Sequence, residues 1–305
     1  MGGVLFEPVS TELSFEHDGD ELVGDLVRPP TPGPYPAVVF VEGSGPGGRD
    51  LGEWPTRLAA AGFVSLAYDK PGSGASTGDW TRQRLTDRAE ETLAAVRALR
   101  QHPDVRADAV ALIGHSQGGW VAPLAASRSD TVAAVVCVSG PGVGVLAQEE
   151  YRLRHQLPAE GFTEADVEQA VTLLHEQIHR VRSGDDPVRV HAAQAPWHTA
   201  PWYTKLAGTT PPSIAFLAGI ADHDPTAALR SLSCPLLAIY GADDLLVPVP
   251  ESVRVVAAIL REAGHDDHEI VVFPGADHNL RIGTARAPGF DELVVTWLHH
   301  RLCRL

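Results

Sequence analysis

Residues 110–125 read V-A-L-I-G-H-S-Q-G-G-W-V-A-P-L-A. The opening run, 110–113, is continuously apolar, the pattern of a short buried strand. Gly114-His115-Ser116-Gln117-Gly118 then turns into an apolar helix beginning near Gly119. This is G-x-S-x-G between a strand and a helix. A serine at the tip of so sharp a turn is crowded by the side chains two positions before and two after it, and glycine at both relieves the clash. Ser116 is thereby expected at a helix N-terminus, where a nearby developing anion is stabilised.

Upstream, Leu85, Ala89, Leu93, Val96 and Leu99 share one face of a helix expected over 86–100. Before it come an apolar run at 63–68 and the loop Asp69-Lys70-Pro71-Gly72-Ser73-Gly74-Ala75-Ser76. Earlier still, Ala37-Val38-Val39-Phe40-Val41 reads as a strand covered on both faces, followed by the glycine-rich stretch Glu42-Gly43-Ser44-Gly45-Pro46-Gly47-Gly48-Arg49-Asp50 and a helix over 53–61. Strand, helix, strand, helix, strand in alternation predicts a parallel α/β sheet. Alternating runs at 12–16 and 21–27, around the turn signal Asp18-Gly19, add an N-terminal antiparallel hairpin.

Downstream, 133–138 is another strand, ending in Ser139-Gly140-Pro141-Gly142. Residues 143–230 then separate it from the next strand-like run, far more than a crossover needs, so this segment reads as an insertion. Its clearest element is a helix capped by Thr163, with Val167, Val171, Leu174, Ile178 and Val181 at helical spacing. The aromatic cluster Trp197, Trp202 and Tyr203 follows. A mostly helical lid over Ser116 is the expected structure, with those aromatics either lining a substrate pocket or forming the lid's own core. The sheet resumes at 235–240, followed by Gly241-Ala242-Asp243-Asp244-Leu245-Leu246-Val247-Pro248. A helix over 251–263 leads to a strand at 270–273, then Pro274-Gly275-Ala276-Asp277-His278 and a last helix over 290–301.

A serine hydroxyl is a poor nucleophile at neutral pH and needs a base, itself held in the right tautomer by a carboxylate. Ser116, Asp244 and His278 occur in that chain order, the acid and the histidine each following a strand's carboxyl end, where open α/β sheets bind ligands. This order, with the strand-turn-helix around the serine, resembles the α/β-hydrolase superfamily over nearly the whole chain. G-S-G-P-G-G-R-D, D-K-P-G-S-G-A-S, G-H-S-Q-G, G-A-D-D-L-L-V-P and G-A-D-H are similar to the motifs of bacterial serine esterases and acyl-peptidase-like hydrolases with a lid insertion. The resemblance implies a mostly parallel eight-stranded sheet, with the core in 1–142 and 231–305 and a helical cap in 143–230. It also implies Ser116 as nucleophile, His278 as general base and then acid, and Asp244 rather than Asp243 as the orienting carboxylate. His265 and His268 precede the last strand and would sit at the wrong edge, while His115 would point away from the serine's side.

The amides of Ser44 and Gln117 are the expected oxyanion hole. One departure from the family stands beside them: Glu42 occupies the position before the oxyanion glycine, where His or Ser is common. A carboxylate there opposes a developing anion unless it is paired, protonated or turned away. It is expected to pair with Arg49 or bond loop amides; the functional alternative is that it binds a substrate amine or serves as a second acid. Asp69 is expected to hold the glycine loop.

Composition narrows the function classes. With 44% hydrophobic and 21% charged residues over 305 positions, one large core with an insertion is expected. No apolar run approaches the roughly 20 residues of a membrane span. The first ten residues lack a basic and an apolar region, and Phe6 stands where a myristoylated Gly2 would want Ser or Thr, so a cytoplasmic protein is expected. The net charge of −15 argues against nucleic acid and anionic membranes as partners. Cys137, Cys234 and Cys303 are scattered, as reduced buried thiols would be. The expected partner is a small-molecule acyl substrate, with no cofactor, no metal and a homodimer left open. An acyl ester is the first substrate class, ahead of thioester, lactone or amide. An acyltransferase or cyclase using the same triad is the alternative, and a non-catalytic small-molecule-binding protein on this fold is a further one.

Overall fold

The computed structural model describes residues 7–303. Gly2 and Phe6, on which the reading of the first residues rests, lie outside that range. The chain opens with β1 (Val9–His17) and β2 (Asp20–Arg28), an antiparallel pair turned by Asp18 at φ 51° and Gly19 at φ 86°. Positive φ at both central residues gives the turn a twist that matches its strands. β3 (Tyr35–Val41), α1 (Trp54–Ala60), β4 (Val64–Tyr68), α2 (Leu85–Arg100), β5 (Val105–His115), α3 (Gly118–Ala126) and β6 (Ala134–Val138) alternate as the sequence predicts.

After the insertion come β7 (Leu236–Gly241), α9 (Val249–Glu262), β8 (His268–Phe273) and α10 (Phe290–Leu302). The strands form one eight-stranded sheet in the order β1-β2-β4-β3-β5-β6-β7-β8, parallel from β4 to β8. Successive side chains of a strand face opposite ways, and both faces here are covered. Val38 and Phe40 pack with Trp54 of α1 and Phe290 and Leu298 of α10, whereas Val39 and Val41 pack with residues of α2 and α3.

The segment between β6 and β7 holds α4 (Val145–Ala159), α5 (Glu164–Arg182), α6 (Pro187–Ala193), α7 (Pro211–Ile220) and α8 (Thr226–Arg230). Thr163 caps α5 by accepting from the Asp166 amide, while the Asp166 carboxylate accepts from the Thr163 amide at 3.0 Å. Val167, Val171, Leu174 and Ile178 of the expected stripe are buried, in a core continuous with that of the sheet. α4 and the short hairpin of β9 (Arg281–Ile282) and β10 (Ala285–Arg286) are elements beyond those expected from the sequence. Of the three thiols expected to be buried, Cys137 and Cys234 are, and burial pushes them up to about 12 and about 11; Cys303 is exposed. It stands at the C-terminal end of α10, its Sγ 3.3 Å from His299 Nδ1. No helix among the described residues is long and apolar enough to cross a membrane.

Candidate active site

Ser116 follows β5 directly and has φ 53°, a left-handed conformation that a non-glycine residue adopts only under constraint. The constraint is visible around it. A Cβ on Gly114 would stand 2.2 Å from the Gly118 carbonyl oxygen, and one on Gly118 would stand 1.9 Å from that of Val41. Neither position accepts a side chain. The turn is tied to the next strand by the Ser116 amide, which donates to the Val138 carbonyl at 2.9 Å.

His278 and Asp244 meet in the loops after β8 and β7. The His278 Nδ1 lies 2.7 Å from Asp244 Oδ2, and Asp244 is 3% exposed. The other Asp244 oxygen accepts the Leu246 amide at 2.7 Å and the Val247 amide at 3.0 Å, which fixes the carboxylate's orientation. Asp243 is exposed and has no such role. Two contacts hold the His278 backbone to the serine's neighbourhood: Ser139 Oγ donates to the His278 carbonyl at 2.8 Å, and His115 Nε2 lies 3.4 Å from that oxygen. Burial and the nearby His278 push His115 down to about 4, so it is neutral at physiological pH. His265, in contrast, bonds the Cys234 carbonyl at the far end of the sheet.

The loop after β3 lies against the serine: a methyl group on Gly43 would stand 3.2 Å from Ser116 Cβ. Ser44, Ser116 and Gln117 line one cavity of about 360 Å³. Behind this loop is a buried polar cluster that the sequence reading missed. Lys70, 2% exposed, donates to the carbonyls of Gly43 and, at 2.7 Å, of Gly45. Arg88, also 2% exposed, donates to Gln117 Oε1 at 2.7 Å and to the Glu42 carbonyl at 2.9 Å. Burial and Arg88 push Lys70 down to about 6. A signal for Arg88 existed, because it falls on the same helical face as Leu85 and Ala89, where a charged side chain must be buried.

The expected ion pair of Glu42 with Arg49 is absent. Arg49 instead meets Glu12 at 3.1 Å, Asp25 at 3.0 Å and Asp69 at 3.2 Å, since β1, β2 and the end of β4 each bring one carboxylate to it. Asp69 also accepts the amides of Arg49 and Ala75, as a brace for the glycine loop. The Glu42 carboxyl is raised by burial, an effect that Lys70, Arg88 and the Gly43 amide oppose. It lines a second cleft, of about 500 Å³, together with His115, Asn279, Arg281 and Arg286.

The insertion supplies much of the wall around the Ser116 cavity: Val145, Gln148 and Arg152 from α4, and Phe216, Leu217 and Ile220 from α7. Gln148 donates to the Leu246 carbonyl at 2.8 Å, fastening α4 to the loop that carries Asp244. The polar end of the wall is internally neutralised, with Arg152 on Glu149 at 2.9 Å and Lys205 on Glu160 at 2.6 Å. Trp202 and Tyr203 are away from this cavity, buried in the core of the insertion, where the Tyr203 hydroxyl donates to Gln194 at 2.8 Å. Trp197 packs on Trp202, ring centroids 6.0 Å apart. The pocket-lining reading of these aromatics is therefore corrected: their apolar area closes the helices on one another.

This strand order, with a serine elbow after β5, an acid after β7 and a histidine after β8, defines an α/β hydrolase. The chain belongs to the Hydrolase_4 family, serine aminopeptidase, S33, whose family model matches residues 33–282. It is similar to the esterase EstD of Thermotoga maritima, 24% identical over 87% of this chain, and spans 60% of that relative's length. It is also 27% identical to a monoacylglycerol lipase of Mycolicibacterium smegmatis, covering 86% of this chain and 87% of the lipase. In fold it is similar to the α/β hydrolase GrgF of a Penicillium species, with a TM-score of 0.67 at 19% identity, covering 97% of this chain and 100% of that one.

Proposed function

We propose that this protein is a serine hydrolase that cleaves carboxylic esters of small, largely apolar acyl groups through an acyl-enzyme on Ser116. The observation that carries the reading is the 2.7 Å contact of His278 with a buried Asp244, beside a serine held at positive φ in a cavity with Ser44 and Gln117. In this reading Asp244 holds the imidazole with Nδ1 protonated, which leaves Nε2 to take the Ser116 proton as the hydroxyl attacks the acyl carbonyl. The amides of Ser44 and Gln117 receive the developing oxyanion. His278 then returns the proton to the leaving alcohol, and a water activated by the same imidazole releases the acid.

An apolar wall with neutralised ions favours an uncharged acyl chain, and the names of the esterase and lipase relatives support an ester as the bond cleaved. The working partner is a small-molecule acyl compound. Free cysteines without a disulfide among the described residues support a cytoplasmic setting. Intact-mass labelling with a fluorophosphonate tests the nucleophile. Wild type should gain one adduct and turn over p-nitrophenyl esters, whereas Ser116→Ala should gain none and lose at least about 10⁴-fold in kcat. An adduct on Ser116→Ala, or retained turnover, would overturn the assignment.

A further inference from the structure

The buried cations behind the glycine loop touch the backbone that carries one oxyanion donor. Lys70 donates to the Gly43 carbonyl, and that carbonyl belongs to the same peptide unit as the Ser44 N–H. In a trans peptide the C=O and N–H point in opposite directions. Fixing the carbonyl toward Lys70 therefore turns the Ser44 N–H away from it. The second bond, from Lys70 to the Gly45 carbonyl at 2.7 Å, grips the loop on the other side of Ser44, so the residue is held from both ends. Arg88 links this half to the other: one guanidinium bonds the Glu42 carbonyl, at the start of the loop, and the side chain of Gln117, whose backbone supplies the second donor.

We propose that Lys70 is the positioning residue of the oxyanion hole, orienting and polarising the Gly43–Ser44 peptide, with Arg88 tying the loop to Gln117. The inference rests on the serine-hydrolase reading above. A hydrogen bond accepted by a peptide carbonyl strengthens the donor at the other end of the same peptide, so the brace acts on strength as well as direction. Two carbonyls need two donors, and Lys70 supplies them as an ammonium or as a neutral amine. Neither Lys70 nor Arg88 lines the route of an acyl chain in this arrangement, so their loss should be felt in the oxyanion rather than in substrate binding.

Lys70→Met in the full chain is the test, with p-nitrophenyl butyrate as substrate and kcat expressed per serine titrated by fluorophosphonate. Removing an oxyanion donor outright costs about 10²–10³-fold, so loosening one through its brace should lower kcat by roughly 30- to 100-fold. KM should stay within about threefold, and the inhibition constant of a trifluoromethyl ketone, whose adduct carries an oxyanion, should rise in parallel with the loss of kcat/KM. Lys70→Gln, which keeps an amide donor, should recover part of the loss, and Arg88→Lys should show the same split at smaller size; either serves if Lys70→Met does not fold. A per-site kcat within threefold of wild type in these variants, with an unchanged inhibition constant, would overturn the brace while leaving the hydrolase reading intact. A wild type with neither adduct nor turnover would overturn that reading and the brace with it.

Discussion

The sheet edge and the helical insertion meet at the Ser116 cavity, and they are built in different ways. The sheet edge contributes short polar loops whose atoms are fixed by hydrogen bonds: Ser116 to Val138, Ser139 to His278, Asp244 to two amides and to His278. The insertion contributes apolar surface fixed by packing, as in the buried cluster of Leu153, Leu174, Trp202 and Leu217. Hydrogen bonds are directional and place an atom to a fraction of an ångström, which proton transfer requires. Apolar packing is non-directional and sets a volume, which acyl selection requires. The two regions should therefore fail differently: a change at the edge should alter rate, and a change in the insertion should alter stability or chain-length preference.

The sharpest break lies at the edge. Asp244→Asn should lower kcat by about 10³–10⁴-fold with little change in unfolding, because the imidazole loses the partner that fixes its tautomer. Its exposed neighbour is the control, and Asp243→Asn should stay within about threefold by the same assay. A reversal would exchange the two acids.

Trp202→Ala tests the insertion. It should cost about 3–5 kcal/mol in urea unfolding, from lost burial and the cavity left behind, while kcat per titrated serine changes by less than about fivefold. A large kcat loss at unchanged stability would return Trp202 to the substrate. A milder change is expected at the wall itself. Phe216→Ala should raise KM for p-nitrophenyl hexanoate about tenfold and for the acetate less than threefold, the loss scaling with the apolar area each chain buries. Equal effects on both esters would mean that Phe216 does not read chain length.

The smallest effect compares one histidine from each region. Burial lowers both His115 at the edge and His223 in the insertion to about 4, against an ordinary value of 6.5. The unfolded chain therefore binds more protons than the folded one between those values. Stability is present in full above about pH 6.5 and falls as the pH drops toward 4, by up to about 1.4 kcal/mol per pH unit for each histidine. His115→Gln and His223→Gln should each flatten urea-unfolding stability measured across that window. An unchanged slope would mean that the imidazole is already charged in the fold.

Most of the sheet edge was legible in the residues. Gly114 and Gly118 mark the elbow because only glycine fits there, and Asp244 and His278 follow strands whose apolar runs are plain in the chain. Lys70 reads as solvent-facing, as a lysine in a glycine-rich loop does until the packing around it is known, whereas Arg88 shares a face with Leu85 and Ala89, so its burial is legible in the sequence but its partners, the Glu42 carbonyl and the Gln117 side chain, are not. The same holds for α4, whose polar residues Gln148 and Arg152 face a cavity rather than water. Trp202 and Tyr203 could be placed in the insertion by sequence, but not on its inside or its lining.

The division follows the range of the forces involved. Strand and helix identity, the sharp turn at the serine and the capping of α5 by Thr163 depend on residues a few positions apart, so they are written locally, and the order of serine, acid and histidine is read directly along the chain. Which carboxylates reach Arg49, which carbonyls Lys70 grips, and which aromatic faces the Ser116 cavity depend on partners tens of residues away. Those contacts come into being only when the sheet and the insertion close on each other.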